Sequence, residues 1–402
     1  DFRTILQDNP ASDSTLVLLA EAHVGNNEPE LAVESLRKAI KINPQALEAR
    51  HRLIGLLTRQ KRYDDALSET VDLLKVAPDD RRGLLAMVDL NLIKEEWKRA
   101  EQAARKIEQD YPEEAIGNLK LGMLYLAQKR YDAALGELKV AAKKAPRQAD
   151  VIVALVKTYM AKGEPEKAIS RLRREIERVP ANRAGYYNLL GEIYLSQQRQ
   201  QQAIDAFRNA VAADKKWLVP ARSLANLYLI RGNSGAAIKV AEGVAQAALE
   251  DAEAALFLAG IYELSDKFED AMGAYREVLK IDPENEVAAN NLASLLTDHR
   301  GDAASLQQAL KLADRFRESS NPAYIDTLGW IYYRSGEHDK ALDLLKRAVQ
   351  KAPGAAIFHY HLGMAYRAAG DKALARQHLE AALEGKVNFR GIEEAKEALK
   401  GL

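Results

Sequence analysis

The chain has 402 residues, 58 of them basic and 58 acidic, so its formal net charge is zero; 47% of residues are hydrophobic and only 6% aromatic. Cysteine is absent, which excludes disulfides, thiolate metal sites and thiol nucleophiles. A neutral balance gives no global attraction to nucleic acid or anionic membrane, and the apolar runs are too short to span a bilayer.

Taken in chain order, the first signal is periodic. Pro10, Pro44, Pro78, Pro112, Pro146 and Pro180 fall in perfect steps of 34, the period of one helix–turn–helix unit. Alanines keep the same step at Ala32, Ala66, Ala100, Ala134 and Ala168. With small slips they continue at Ala203, Ala237, Ala271, Ala309, Ala341 and Ala375. A side chain this small lets two helices approach closely, and a larger one would wedge them apart. Twelve residues before most of these alanines stands a small or slim residue, such as Ala20, Gly122, Gly191, Gly329 or Gly363. An aromatic commonly follows it three residues later: Tyr125, Tyr159, Tyr194, Tyr228, Tyr262, Tyr332 and Tyr366.

On these residues the chain resembles the tetratricopeptide repeat family along essentially its whole length. The resemblance implies an all-α, right-handed superhelical solenoid of about eleven hairpins with a C-terminal capping helix. The expected repeats are 13–46, 47–80, 81–114, 115–148, 149–182, 184–217, 218–251, 252–285, 286–321, 322–355 and 356–389. Residues 1–12, with Phe2 and Ile5, read as the second helix of a preceding repeat. An array opening halfway through a hairpin would expose that helix's apolar face, so further repeats, or a secretion signal plus repeats, are expected upstream. Residues 390–402 read as the cap, because Ile392, Ala395, Ala398, Leu399 and Leu402 share one side of a short helix. Repeat 3 departs from the pattern with Val88 and Asn91. Repeats 6 and 7 lack the closing proline, with Lys215 at that place in repeat 6. Repeat 9 carries extra residues around 301–304, so its second helix is expected to start late.

Charge is uneven along the array. Residues 137–183 hold twelve basic against six acidic side chains, and 251–286 hold three against ten. Such runs are usually a solvated outer face; the sharper reading is that each steers a differently charged partner or stacks on another copy. No phosphate loop, nucleophile elbow or HExxH pair is present. His359 and His361 stand two apart on a helix, so their rings diverge and packing is expected rather than metal binding. His23 takes the place held elsewhere by tyrosine and is expected to pack between helices. Asp64/Asp65 and Glu95/Glu96 fit helix starts better than catalytic acids. No cofactor is expected.

In the resembling family the first helix of each hairpin lines the concave face, through its second, fifth, ninth, twelfth and thirteenth positions. Carried onto this chain, repeats 3–5 supply an apolar set that includes Leu85, Leu92, Ile93, Leu119, Met123 and Leu126. Repeats 6–8 supply Arg222 and Asn226 among others. Repeats 10 and 11 supply Asp326, Trp330, Tyr333, Arg334, Tyr360, Met364 and Arg367. Contiguous exposed apolar surface commonly marks an interaction site, and Trp, Tyr and Arg most often dominate interface energetics. The alternative for each residue is packing against the neighbouring hairpin. Neither the Lys/Asn clamp that holds a terminal carboxylate in some relatives nor the asparagine ladder of others is reproduced: Asn188, Asn226, Asn290 and Asn291 fall at different registers.

The segment 321–332, together with His361-Leu362-Gly363, is similar to the closing repeats of bacterial tetratricopeptide proteins, many of which sit in the cell envelope and serve surface-polysaccharide assembly or export. The expectation is therefore a non-catalytic scaffold binding a partner protein or peptide, with no nucleic acid and no membrane span in this stretch. A homo-oligomer formed through the terminal repeats is a further expectation. The location leans to the bacterial envelope, periplasmic or outer-membrane associated, with the cytoplasm as the alternative. The other reading is the repeat portion of a larger enzyme or membrane machine whose active domain lies upstream.

Overall fold

A computed structural model describes residues 12–385 and 388–402. The helix expected over 1–12, with Phe2, Ile5 and Pro10, falls outside the described residues except for Ser12. The described residues are all-α, and the chain divides into two compact units, Asp1–Gln197 and Gln198–Leu402.

The first unit pairs α1 (Asp13–Gly25) with α2 (Pro29–Ile42), α3 (Leu47–Arg59) with α4 (Tyr63–Val76), and α5 (Arg81–Ile93) with α6 (Trp97–Asp110). It continues with α7 (Ile116–Ala127) and α8 (Tyr131–Lys144), then α9 (Ala149–Ala161) and α10 (Pro165–Arg178), and closes on α11 (Arg183–Ser196). The second unit opens on α12 (Gln200–Ala213). Its pairs are α13 (Leu218–Ile230) with α14 (Ser234–Ala247), α15 (Ala252–Leu264) with α16 (Phe268–Ile281), and α17 (Glu286–Leu295) with α18 (Ala303–Ala313). After these come α19 (Pro322–Arg334) with α20 (His338–Lys351), α21 (Ala356–Ala368) with α22 (Lys372–Leu383), and finally α23 (Ile392–Lys400).

Within a hairpin the two helices meet on small residues. Ala32, Ala66, Ala100, Ala134, Ala168, Ala203, Ala237, Ala271, Ala309, Ala341 and Ala375 are all fully buried. A Cβ added to Gly122 would stand 2.5 Å from Leu138 Cγ, and at Gly329 it would stand 2.8 Å from Leu345 Cγ. Each leucine of the second helix therefore fits into a notch on the first. Successive hairpins are tied by a recurring polar contact from the first-helix tyrosine. Arg105 donates to the Tyr125 hydroxyl at 2.8 Å, Arg173 to Tyr194 at 2.9 Å, Arg208 to Tyr228 at 2.9 Å and Arg317 to Tyr332 at 2.7 Å. In each case the arginine sits on the second helix of the preceding hairpin, or just beyond its end. It meets the polar tip of a ring whose body packs on the core.

Between hairpins, the residue preceding each proline is forced out of helical backbone. Asn43 (φ −126°, ψ 94°), Ala77 (φ −135°, ψ 85°) and Ala145 (φ −129°, ψ 73°) all end their helices in this way. Repeat 6 reaches the same geometry without proline, since Asp214 adopts φ −139° and ψ 98° before Lys215.

Inside every hairpin the turn is closed by one residue of left-handed backbone. It recurs at Asn27, Lys61, Glu95, Lys129, Gly163, Gln198, Gly232, Asp266, Gly301, Gly336 and Gly370, with φ between 56° and 85°. In repeat 4 the amide after it returns to a carbonyl five residues back, Arg130 N to Tyr125 O at 2.8 Å, while Lys129 N bonds Leu126 O at 2.9 Å. The same pair of bonds recurs at Asn27, Lys61, Glu95, Gly163, Gly232, Asp266, Gly336 and Gly370, whereas at the widened turn of repeat 9 Gly301 N itself reaches Leu296 O at 3.0 Å. These paired bonds satisfy carbonyls that a helix end otherwise leaves open. Six of these residues are not glycine and carry the cost of a Cβ in that conformation. Replacing exposed Lys129 by glycine is expected to raise the stability of the first unit by about 0.5–1 kcal/mol, and Gly163→Ala to lower it by a similar amount. Urea denaturation checks both.

Repeat 9 departs most. After α17 the chain widens into a π turn over Leu296–Arg300 and stops at Gly301 (φ 65°). Asp302 then starts α18, accepting from the amides of Ala304 and Ser305, each at 3.1 Å, and from Ser305 Oγ at 2.6 Å. The late start of α18 thus comes with a widened helix end, which presents Asp298 and His299 toward α19 and the C-terminal segment.

Candidate functional site

The residues expected to face a groove divide by burial. In the first unit Leu119 is only 4% exposed. It packs with Ala115, Leu135 and Leu155 between neighbouring hairpins, so it belongs to the core rather than to the open face. Leu85, Leu92 and Leu126 are half-buried and pack on the core of α5–α8. Met123 at 39% and Ile93 at 50% are the apolar side chains of this set that reach solvent. In the second unit Arg222 and Asn226 are exposed on α13, and Arg222 lies 3.5 Å from Glu253. Val219, Ile230 and Leu264 are exposed on the first helices α13 and α15.

The C-terminal aromatic group is not an open surface. Trp330 is 6% exposed, and Tyr360 and Met364 are buried with it. They pack with Ala395 and Ala398 of α23 and with Phe389 just before it, so the chain's own C-terminal segment covers them. Tyr333 is half-buried, whereas Arg334 and Arg367 remain exposed. The sequence pattern placed Trp330, Tyr360 and Met364 on a groove. It could not register that 388–394 crosses that groove.

The crossing is specific. Phe389 lies 5.5 Å from the Tyr360 ring. Gly391 turns the chain with φ 94°, and a Cβ there would stand 2.5 Å from Tyr360 Cε1, so no other residue fits. Tyr360 donates to Glu394 at 2.8 Å, and burial together with that carboxylate pushes the Tyr360 hydroxyl up from its ordinary pKa. Arg390 donates to His299 Nδ1 at 3.0 Å, approaches Asp298 at 3.6 Å and lies over Phe268 at 5.6 Å. Burial, with Arg390 close by, holds the His299 pKa below its usual value.

Beneath this strap lies a polar cluster; the register names Asp326 and Trp330 as groove residues, but not that they are buried together. Trp330 donates its indole N–H to Asp298 at 2.9 Å. One of its faces stacks on Tyr333 at 4.7 Å and another contact runs to His361 at 4.1 Å. Asp326, on α19, accepts or shares a hydrogen bond with His361 Nδ1 at 2.8 Å. Asp326 is 4% exposed, and its other oxygen, Oδ1, is buried without a hydrogen-bond partner. Burial pushes the Asp326 carboxyl up from its ordinary range, while His361 pulls it the other way. Asp298, Asp326, Trp330 and His361 line a cavity of about 570 Å³ bounded by α17, α19, α21 and the strap. The register that names Asp326 is shared with a core residue: Asp326 holds the fifth position of its repeat, where buried Leu119 stands in repeat 4.

The remaining histidines pack. His23 hydrogen-bonds Glu28 at 2.6 Å, and His359 reaches His378 at 2.9 Å. Among the described residues, no group of three or more His, Asp or Glu side chains is placed to hold a metal ion, and no helix is long and apolar enough to cross a membrane.

Three comparisons bear on kinship. The chain is 24% identical over 312 residues to subunit 7 of the anaphase-promoting complex of Arabidopsis thaliana, covering 75% of this chain and 53% of that protein. It is 27% identical over 213 residues to the protein O-mannosyl-transferase TMTC1 of Homo sapiens, covering 51% of this chain and 23% of that protein. The chain thus spans about a quarter to a half of the length of these relatives. Among solved structures it is similar to the APC/C hetero-tetramer Cut9–Hcn1, with 15% identity, a TM-score of 0.44, and coverage of 100% of this chain and 91% of that one. Three tetratricopeptide repeat profiles match: one at 85–149, 222–286 and 327–388, a second at 23–90 and 125–193, and a third at 184–216. Their matches run unbroken from 23 to 216 and resume over most of the second unit, so the chain belongs to the tetratricopeptide repeat family.

Proposed function

We propose that this chain is a non-catalytic scaffold that holds a partner protein, or a segment of one, along the first-helix face of its hairpins. The observation that carries the reading is the exposure of large apolar side chains on first helices. Ile93 and Met123 stand open beside half-buried Leu85, Leu92 and Leu126. Exposed apolar area of this kind favours association, and an unbranched methionine adapts to varied partner shapes. The likeness to a subunit of a protein complex supports the same reading. In finer terms we place the scaffold in the bacterial cell envelope, in surface-polysaccharide assembly or export, on the similarity of 321–332 and 361–363 to closing repeats of such proteins. A second reading, the repeat portion of a larger enzyme, is favoured by the match to part of an O-mannosyl-transferase.

The test compares capture of partners from an envelope fraction by the unaltered chain and by an Ile93→Glu/Met123→Glu variant. Both positions are exposed, so the variant is expected to keep its helicity. A specific partner should be retained by the unaltered chain and lost at least tenfold by the variant. Equal retention would overturn the first-helix face as the binding surface. Turnover of a small molecule by the purified chain would overturn the non-catalytic reading.

A further inference from the structure

We infer that the trough between α12 and α14 is a second docking site, one that takes an acidic protein segment carrying aliphatic side chains. It lies between two second helices and uses none of the residues of the first-helix reading, so it goes beyond that reading rather than resting on it.

The trough follows from the sequence of α14. Six residues after its buried alanine, a second helix of this chain commonly carries a long side chain, as at Lys38, Lys106, Arg174, Glu277, Arg315 and Arg347. In α14 that place falls to Gly243, where a Cβ would meet nothing within 4 Å. Gly243 lines an open volume of about 700 Å³, within the size range of ligand pockets. Val211 of α12 and Val240 of α14 also line it; both are half-buried and packed on Ala221 and Val244, so the apolar lining is held in place by the core.

The charged side chains that line the trough are Arg208, Lys215 and Lys239, and no carboxylate lines it. The whole chain is neutral, so this single-sign lining is local. Arg208 is partly committed, meeting Asp205 at 3.2 Å and donating to the Tyr228 hydroxyl at 2.9 Å. The acids nearest the two lysines in sequence are taken up elsewhere. Asp214 accepts from the Lys216 amide at 3.1 Å, and Glu242 accepts from Tyr262 at 2.8 Å. Lys215 and Lys239 are exposed and make no ion pair among the described residues. A cleft lined by one sign of charge concentrates the opposite sign. The occupant that complements this lining is therefore an anion with an apolar body.

Among such occupants a protein segment fits best. A metal ion would meet only cations at the rim. A nucleic-acid backbone would want the basic surface to continue, yet 251–286, directly after α14, hold ten acidic against three basic side chains. An acyl chain would want an enclosed slot, whereas Ala212, Gly243 and Gln246 are exposed and leave the trough open. A segment laid along it places carboxylates at Lys215 and Lys239 and aliphatic side chains on Val211 and Val240.

The experiment is fluorescence anisotropy on the full chain with labelled dodecapeptides made of Glu-Leu-Ala-Glu, Gln-Leu-Ala-Gln or Glu-Ser-Ala-Glu repeats, and with sodium laurate as a competitor. The Glu-Leu peptide is expected to bind saturably, more weakly as salt is raised, and at least tenfold tighter than the other two. Lys215→Glu/Lys239→Glu should weaken it at least tenfold; should that variant not fold, Lys215→Gln/Lys239→Gln, which removes the charges without adding acid, is measured instead. Equal binding of the Glu-Leu and Gln-Leu peptides, undiminished binding by the lysine variants, or no binding of the Glu-Leu peptide would overturn the site. Displacement of that peptide by laurate at equal concentration would overturn a protein segment as the occupant. Ile93→Glu/Met123→Glu is expected to bind the acidic peptide as the unaltered chain does. If it does not, the peptide sits on the first-helix face and the inference falls. If instead the trough fails while Ile93→Glu/Met123→Glu still abolishes partner capture, the first-helix reading stands alone.

Discussion

Truncating Trp330 to alanine is expected to destabilise the second unit by about 3–5 kcal/mol, the range for removing a buried aromatic side chain. The side chain is almost fully enclosed and joins three elements: it meets Tyr333 on its own helix, His361 on α21, and Asp298 in the π turn. Its loss opens a void that the strap spans rather than fills. It also removes the indole hydrogen bond to Asp298, which adds about 0.5–1.5 kcal/mol. Denaturant titration monitored by circular dichroism checks the magnitude. A change below about 1 kcal/mol would show that the strap and α23 do not pack on this ring. The consequence for binding work is direct: loss of a partner by Trp330→Ala would report damage to the fold, and Arg334 or Arg367 is the better probe of that surface.

The second large effect is expected at Gly117, at the start of α7. A Cβ there would stand 2.6 Å from both Cα and N of Glu108 in α6, and backbone cannot step aside as a side-chain end can. Gly117→Val should force α7 away from α6 and cost about 1–3 kcal/mol, more if the hairpins separate. A helix-favouring substitution would by itself add stability, so the sign of the measured change discriminates cleanly. A stability equal to or above the parent would mean that the two hairpins do not touch at this point. Gly55 is the internal control, since a Cβ there meets nothing within 4 Å.

Much of the architecture was legible because spacing encodes it. The alanine series and Gly122, Gly329 and Gly363 mark where helices touch, and contact of that kind restricts residue size at fixed intervals. The candidate site was less legible. Leu119 and Met123 are both apolar first-helix residues four apart, yet one is core and the other open. Leu119 meets Leu135 of its own hairpin and Leu155 of the next, contacts that periodicity does not carry. The cover over Trp330, Tyr360 and Met364 comes from a segment about 30 to 60 residues later in the chain, and nothing near those residues announces it. The register assigns Asp326 to the groove, and it is buried instead, because burial of an acidic residue depends on what packs over it and not on its register. The left-handed turn residue is hidden for another reason. Glycine usually signals that backbone, but here Lys61, Glu95 and Lys129 adopt it too.

Those turn residues have a practical corollary. Each bend is secured by main-chain amides and carbonyls, with no side chain required at its apex. The apex residue can therefore change its charge, or accept a grafted loop or fluorescent label, while the packed helices behind it keep their register. Asn27, Lys61, Glu95 and Lys129 thus offer the first unit four evenly spaced attachment points for reporting on whatever settles against its hairpins.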